Sequence, residues 1–173
     1  MAEPSVEPHL FVIVGATGDL TKRKLLPALF HLRSEGELEK QNTVIVGAAQ
    51  PEMSDEAFRL WAYESLNKSV AHAPDLRRWC DEYLHYQTVQ HGGVQDYQNL
   101  AKYIRQLETA RNLPENRVFY LALPPSAVPP TVEHLDQACL LKSRGWVRVV
   151  FEKPFGHDFR SARALNTLLH RYL

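Results

Sequence analysis

Short, uninterrupted apolar runs recur along this chain, and each is followed by a stretch with helical spacing. The runs lie at residues 9–14, 43–48, 117–123 and 147–151, with a shorter candidate at 85–89. Runs of this length suit strands rather than helices, and a strand without polar alternation is typically buried on both faces. Strands of this kind that alternate with helices predict an α/β fold with a doubly wound, mainly parallel sheet.

Between these runs, apolar residues recur with the spacing of amphipathic helices. Ser54 or Asp55 is a suitable N-cap for one helix, and Pro27 suits the first turn of another because its missing N–H is not needed there. Residues 1–8 are predicted to be a disordered tail and residues 9–173 a single domain. The predicted helices span residues 27–34, 54–66, 96–111, 131–141 and 158 onward.

Charge balance, cysteines and histidines narrow the possible partners. The 173 residues include 20 Lys and Arg against 20 Asp and Glu, so the basic excess typical of nucleic-acid binders is missing. Cys80 and Cys139 show no CxxC spacing, which argues against a zinc site or a disulfide framework and suits a reducing compartment. His85 and His91 are interpreted as surface residues, and no metal site is predicted. Without a visible signal peptide or an apolar run of about 20 residues, we expect a cytoplasmic protein with no nucleic-acid or membrane partner.

The turn between the first strand and the first helix is the first candidate site, at Gly15–Leu20 with the sequence GATGDL. Glycines at such a turn let backbone N–H groups approach an anion, which the following helix N-terminus favours. The GxGxxG fingerprint is incomplete, so a plain connecting turn is an alternative. Cations are unfavourable near a helix N-terminus; Lys22–Lys24 therefore indicate a bound pyrophosphate, or else a solvated basic turn.

Two further segments lie at strand ends, where open parallel sheets bind ligands. One is Tyr120–Pro125, in which two prolines end the strand. The other is Glu152–Gly156. Within it, Lys153 could bind a phosphate or hydroxyl group, or it could form a surface pair with Glu152 worth under about 1 kcal/mol.

Three segments together resemble the N-terminal coenzyme-binding domain of glucose-6-phosphate dehydrogenases. They are GATGDLTKRKLLPALFHL at 15–32, NRVFYLALPP at 116–125 and EKPFG at 152–156. The resemblance implies a Rossmann-like fold and the oxidation of glucose 6-phosphate to 6-phosphoglucono-lactone with NADP, the first step of the oxidative pentose phosphate pathway. It also implies that full-length members are homo-oligomers built through a second α+β domain, which is absent from these 173 residues.

The resemblance also implies roles for individual residues. Tyr120 would line the nicotinamide side of the coenzyme cleft. Lys153 would contact both the sugar substrate and the coenzyme, and the Lys153–Pro154 peptide would be cis, as only about 5% of such bonds are. The coenzyme phosphates would be wrapped by Gly15, Ala16, Thr17, Gly18, Asp19, Leu20, Thr21 and Lys22.

Gln50 departs from the family pattern, in which a glycine after the second strand is followed by two residues and then by an arginine that binds the coenzyme 2′-phosphate. Here Gly47 is followed by two alanines and Gln50. A neutral amide cannot make the charge-assisted bidentate contact of a guanidinium, and Gln50 is not the acidic residue that selects NAD. We therefore expect a weakened preference for NADP, with NAD accepted as well.

The catalytic segment is the second departure. In the family, a DHYLGK-type segment with the histidine base follows the helix after EKPFG, whereas the terminal His170–Leu173 lies on that helix and lacks the Gly-Lys pair. No catalytic residue is therefore assigned within this chain. We expect a fragment or truncated form that binds coenzyme without turnover, since the general base is missing. The alternative is a non-catalytic dinucleotide-binding or regulatory paralogue.

Overall fold

The computed structural model describes residues 6–36, 38, 43–68, 70, 73–153 and 159–172. In this part of the chain, strands alternate with helices or helix pairs. The strands are β1 (His9–Val14), β2 (Thr43–Ala49), β3 (Leu84–Thr88), β4 (Arg117–Leu121) and β5 (Val147–Phe151). The helices are α1 (Leu26–Ser34), α2 (Asp55–Leu66), α3 (Leu76–Tyr83), α4 (Val94–Arg111), α5 (Val128–Gln137) and α6 (Phe159–Tyr172).

All five strands of this sheet run parallel, in the order β3-β2-β1-β4-β5. The chain builds outward from β1 through β2 to β3, and α4 then carries it back across the sheet to β4 on the other side of β1. The strand order therefore reverses between β1 and β4, which is where open parallel sheets bind their ligands. The predicted Rossmann-like, doubly wound α/β sheet is confirmed.

Apolar layers cover both faces of the central strands. On one face, the fully buried Val12 and Val46 belong to a cluster that includes residues of α4 and α5. On the other face, Ile13 belongs to a cluster with Leu26 of α1 and Phe58 of α2. Burial on both faces explains why the strands are apolar without alternation.

The outer strands β4 and β5 are covered less evenly. Val149 packs against the cluster that contains α4 and α5, whereas Val150 on the opposite face is 41% exposed. Tyr120 is the β4 neighbour of Val150, and its ring lies 6.2 Å from that of Phe11. Because successive strand residues point to opposite faces, Tyr120 and Leu121 face different layers.

Several boundaries differ from the sequence prediction. Helix α5 begins at Val128 because Pro129 fits its first turn. The helix ends at Gln137 rather than at 141, since Cys139 adopts the left-handed conformation at φ 56°. Strand β4 ends at Leu121, two residues earlier than predicted. Helix α3 was not predicted at all.

A widened helical turn precedes α1. Residues Thr21–Leu25 form a π-helical turn in which the Leu26 N–H bonds to the carbonyl of Thr21. Pro27 follows in the first turn of α1, as predicted. Proline has no N–H to donate to the preceding turn and its ring crowds the carbonyl four residues back, so a wider turn at this point accommodates it.

The described part of the predicted tail is attached to the domain. The indole N–H of Trp146 donates to the Glu7 carboxylate at 2.6 Å, and the side-chain amide of Asn116 donates to the carbonyl of Pro8 at 3.0 Å. The rest of that tail, residues 1–5, lies outside the described residues. Of the helices described, none has both the length and the hydropathy needed to cross a bilayer.

Candidate functional site

A cleft of about 550 Å³ opens at the carboxyl edge of the sheet, between β1 and β4, where the strand order reverses. Its walls come from the turn after β1, the end of β2, the loop after β3 and the segment after β4. Among the described residues, none of those that line the cleft carries a charge. The turn after β1 and the segment after β4 together contribute Gly15, Thr17, Gly18, Ala122, Leu123 and Pro124 to the lining.

Gly15 is required by the backbone at the centre of this cleft. Its φ is +90°, and a Cβ built on it would lie 2.4 Å from the carbonyl oxygen of Ala122. Any other residue would meet both the strain of a positive φ and this clash. The turn after β1 and the segment after β4 therefore touch through main-chain atoms.

Backbone hydrogen bonds decide which N–H groups of the turn are open to a ligand. The N–H groups of Gly15 and Ala16 donate to the carbonyl of Ala48 at 2.8 and 3.2 Å, and that of Gly18 donates to the carbonyl of Gly15. The first helical bond runs from Lys22 to Gly18, at 3.1 Å. Within the described structure, the N–H groups of residues 19–21 consequently have no backbone partner, as at the start of any helix.

The basic residues after this turn are partly compensated. The guanidinium of Arg23 lies 2.8 Å from the carboxylate of Asp19, and both side chains are 74% exposed. Lys22 and Lys24 are exposed as well. Because Asp19 supplies a local negative charge, these cations alone do not require a bound anion, and both interpretations of the basic turn stay open.

Only some of the turn residues that were predicted to contact the coenzyme phosphates line the cleft. Gly15, Thr17 and Gly18 line the cleft, whereas Ala16 is fully buried behind it. Thr21 is buried too, and its hydroxyl donates to the carbonyl of Gly15 at 3.3 Å. Leu20 is half-buried. The Thr21 side chain thus stabilises the turn from behind, and the ligand contacts that residues 20 and 21 could offer are their N–H groups.

Gln50 lines the cleft at the end of β2 with its side chain exposed. Tyr120 does not line it: its hydroxyl bonds to the carboxylate of Glu152. Burial, followed by this contact, raises the pKa of Tyr120 to about 12. Lys153 is exposed just after β5 and also lies outside the cleft lining. The roles of Tyr120 and Lys153 stay predictions, and the cis bond to Pro154 falls outside the described residues.

The sequence interpretation missed one wall of the cleft. This wall carries the hydroxyl of Tyr97, which donates to Thr131 at 3.4 Å, and burial raises the pKa of this tyrosine. Val89 and Gly92 directly follow β3, so the rule that ligands bind beyond strand ends could have found them. The wall comprises Val89, Gly92, Tyr97, Ala127, Pro130 and Thr131.

The prediction that His85 is a surface residue is wrong, whereas His91 is exposed as expected. The His85 side chain is 9% exposed and lies 3.0 Å from the Asp55 carboxylate. Asp55 also accepts from the N–H of Tyr86 and the hydroxyl of Tyr103. Burial opposes ionisation of Asp55, but these hydrogen bonds outweigh it and lower its pKa. A charged partner thus makes burial of this histidine possible.

Metal ligation has no support in the described residues, which contain no group of three or more His, Cys, Asp or Glu side chains placed to hold an ion. Cys80 is buried, Cys139 is exposed, and both are free thiols. Burial raises the pKa of Cys80 to about 12, so it is not a reactive thiolate at neutral pH.

Comparison with known proteins points to one family. Residues 12–173 match the family model described as "Glucose-6-phosphate dehydrogenase, NAD binding domain". The chain is 36% identical to a glucose-6-phosphate 1-dehydrogenase of Chlamydia pneumoniae, in an alignment that covers 96% of this chain and 34% of that protein. It is also 36% identical to a cytoplasmic form of this enzyme from Arabidopsis thaliana, covering 90% of this chain and 32% of that protein.

Solved structures give the same result. A glucose-6-phosphate dehydrogenase in complex with its substrate glucose 6-phosphate superposes with a TM-score of 0.85 at 34% identity, covering 100% of this chain and 36% of that one. Glucose-6-phosphate 1-dehydrogenase from Mycobacterium avium superposes with a TM-score of 0.79 at 33% identity, covering 96% of this chain and 34% of that one. The chain thus spans about a third of the length of the relatives it matches.

Proposed function

Since this chain belongs to the family of glucose-6-phosphate dehydrogenase NAD-binding domains, we propose that the cleft between β1 and β4 holds the nicotinamide dinucleotide of such an enzyme. One observation carries the proposal. The unpartnered N–H groups of residues 19–21 directly follow Gly18, which lines the cleft. A helix start that offers free N–H groups stabilises a phosphate by hydrogen bonds and by its dipole.

The choice between NADP and NAD follows from the uncharged lining. A 2′-phosphate at the end of β2 would meet Gln50, Ala49 and Pro51, and no lining residue in the described part of the chain carries a positive charge. The phosphate would lose hydration without gaining a charge-assisted contact. NAD, which lacks this phosphate, loses nothing there. The domain therefore accepts NAD at least comparably to NADP.

The reaction belongs to the longer enzyme. In it, glucose 6-phosphate would be oxidised to the lactone, and the bound coenzyme would accept the hydride. Lys153, exposed after β5, would contact the sugar and the coenzyme, and Tyr120 would lie on the nicotinamide side. Residues 1–173 contain no segment that matches the family's histidine base. The 173-residue chain alone therefore binds coenzyme without turnover, and reduced coenzyme formed at saturating glucose 6-phosphate would contradict this.

The phosphate contact can be tested by removing a single N–H group. Residues 19 and 20 are helical and lead into the π-helical turn at Thr21–Leu25, so Asp19 is the first helical residue after the turn, a position where proline is well tolerated. Asp19→Pro and Asp19→Ala both lose the pair with Arg23, but only the proline variant loses the N–H group. We expect Asp19→Pro to bind NAD about 10-fold more weakly than Asp19→Ala, because hydrogen bonds to charged groups contribute more than neutral ones.

Calorimetric titration of the purified chain with NAD and NADP gives the dissociation constants. The melting temperatures of the two variants should agree closely, which would exclude a folding defect as the cause. Equal NAD affinity in both variants would contradict the phosphate contact, and an unmodified chain that binds neither dinucleotide would contradict the proposed function itself.

A further inference from the structure

A buried hydroxyl lies behind the end of β2. Tyr86 of β3 is 4% exposed. Its hydroxyl lies 3.1 Å from the carbonyl oxygen of Ala49 and 2.6 Å from that of Pro51. These two carbonyls flank Gln50, so a single side chain contacts the backbone on both sides of the residue that lines the cleft. The hydroxyl has one proton to donate, and the carbonyl of Pro51 is its nearer acceptor.

Tyr86 is itself held from two directions. Its N–H donates to the Asp55 carboxylate at 2.7 Å, and its ring lies 4.9 Å from the ring of Phe58 on α2. Burial raises the pKa of its hydroxyl to about 12. At neutral pH the hydroxyl therefore keeps its single proton and donates it to the nearer carbonyl, that of Pro51.

The segment around Gln50 has few other restraints. Strand β2 ends at Ala49 and α2 begins at Asp55, so residues 50–54 lie between regular elements. Ala49 accepts a further bond from the N–H of Val89 at 2.8 Å. For Pro51, the Tyr86 hydroxyl is the hydrogen-bond donor found in the described structure. The direction in which Gln50 leaves the sheet thus depends on this tyrosine.

We propose that Tyr86 is a positioning residue for coenzyme binding, which fixes the Ala49–Pro51 backbone so that Gln50 faces the adenosine ribose. The inference rests on the proposed function, because it places the adenosine half of the dinucleotide at the end of β2. Tyr86 acts through Gln50 and need not touch the coenzyme. A segment that is ordered before binding costs less to immobilise on binding.

The test compares Tyr86→Phe with Tyr83→Phe. Both remove one buried tyrosine hydroxyl, but that of Tyr83 accepts from the guanidinium of Arg33 at 2.8 Å, and Tyr83 does not line the cleft. The probes are NAD, 5′-AMP and nicotinamide mononucleotide. We expect Tyr86→Phe to weaken binding of NAD and 5′-AMP about 5- to 10-fold, the usual range for one hydrogen bond, and to leave the mononucleotide unaffected. Tyr83→Phe should change none of the three affinities.

A double-mutant cycle with Gln50→Ala measures the coupling between Tyr86 and Gln50 in NAD binding. A purely structural role of Tyr86 would not produce such coupling. If Tyr86 acts through Gln50, the effect of Tyr86→Phe on NAD binding shrinks in the Gln50→Ala background. Pro51→Gly loosens the same segment without touching the hydroxyl, and it should weaken NAD and 5′-AMP selectively as well. This variant keeps the test available if Tyr86→Phe fails to fold.

The outcomes separate the two proposals. If the unmodified chain binds none of the probes, the proposed function fails. If it binds them and Tyr86→Phe binds equally well, weakens all three probes alike, or adds independently to Gln50→Ala, then the positioning role of Tyr86 is overturned while the dinucleotide site stands.

Discussion

At the amino end of β4, Arg117 is 4% exposed and its guanidinium donates two hydrogen bonds to the Glu108 carboxylate, at 2.7 and 2.8 Å. A third contact reaches the carbonyl of Leu140 at 3.4 Å. At the carboxyl end of the same strand, the residues that the structure describes along the cleft include no charged side chain. One end thus buries a satisfied ion pair, and the other offers backbone groups to a ligand.

The difference indicates that the amino end of β4 contributes to fold stability and that its carboxyl end serves ligand binding. At the amino end, the charges of Arg117 and Glu108 are buried and paired with each other, so they act on fold stability rather than on ligand binding. The carboxyl end leaves the N–H groups of residues 19–21 without a backbone partner in the described structure, and its described lining is uncharged, which suits a bound dinucleotide. Substitutions at the two ends should therefore change different measured quantities.

The largest effect should come from breaking the buried pair. Arg117→Met leaves the Glu108 carboxylate buried without its partner, and we expect unfolding in urea to show a loss of about 3–5 kcal/mol. Arg144→Met is the matched control at the same end of the sheet, because that pair with Glu115 has an arginine side chain 90% exposed and should cost under about 1 kcal/mol. The dissociation constant for NAD, measured under conditions in which both variants are folded, should stay unchanged. If Arg117→Met also weakened NAD binding, the claim that the two ends of β4 affect different quantities would be wrong.

A charge introduced at the other end should act on binding alone. Gln50→Arg places a guanidinium in the uncharged cleft, where it can form a bidentate contact with a 2′-phosphate. We expect NADP to bind about 10- to 100-fold more tightly, with little change for NAD or for the melting temperature. Gln98→Arg, on the exposed surface of α4, adds the same net charge outside the cleft. An equal gain in NADP affinity from Gln98→Arg would show that the added positive charge, rather than a direct contact with the 2′-phosphate, causes the effect.

A smaller, pH-dependent effect should come from the polar cluster around Asp55. The pKa of Asp55 in the fold is below its ordinary value of 3.8. Its contribution to stability is therefore present above pH 3.8 and is lost as the pH falls through the lower pKa of the folded state. We expect Asp55→Asn to cost about 1–2 kcal/mol at pH 7, and the difference from the unmodified chain to shrink below about pH 4.

Urea unfolding between pH 7 and pH 3 measures this difference. Asp81→Asn is the control, because its pair with Arg77 has side chains 45% and 52% exposed and should contribute little. A gap between Asp55→Asn and the unmodified chain that stays constant down to pH 3 would show that ionisation of Asp55 is not the cause.

The fold was largely predictable because its strands are buried on both faces. The runs at 9–14 and 147–151 match β1 and β5, since continuous apolar character is a local property. Helix α3 had a usable signal in Leu76, Trp79 and Cys80, which are buried at the spacing of one helix face, but its many charged residues obscured it. The glycine turn was found because Gly15 combines with a strand end, and both features are local.

The candidate site was less predictable because much of it depends on contacts between distant segments. Burial of His85 requires Asp55, 30 residues away, and the bond between Tyr97 and Thr131 spans 34 residues. No local pattern contains either pair. The placement of Tyr120 was different: strand alternation already puts it on the opposite face from Leu121, so that signal was present in the sequence.

The carbonyl of Ala48 accepts from both Gly15 and Ala16, and the shape of the turn after β1 depends on it. Every amino acid supplies the same oxygen, so no substitution at 48 removes the acceptor itself, although Ala48 is fully buried and a larger side chain would disturb the core around it. The importance of this carbonyl is thus invisible to side-chain mutagenesis. Replacing the amide that follows Ala48 with an ester would weaken this carbonyl as an acceptor. That replacement would test the contribution of the carbonyl, which no genetic substitution can remove.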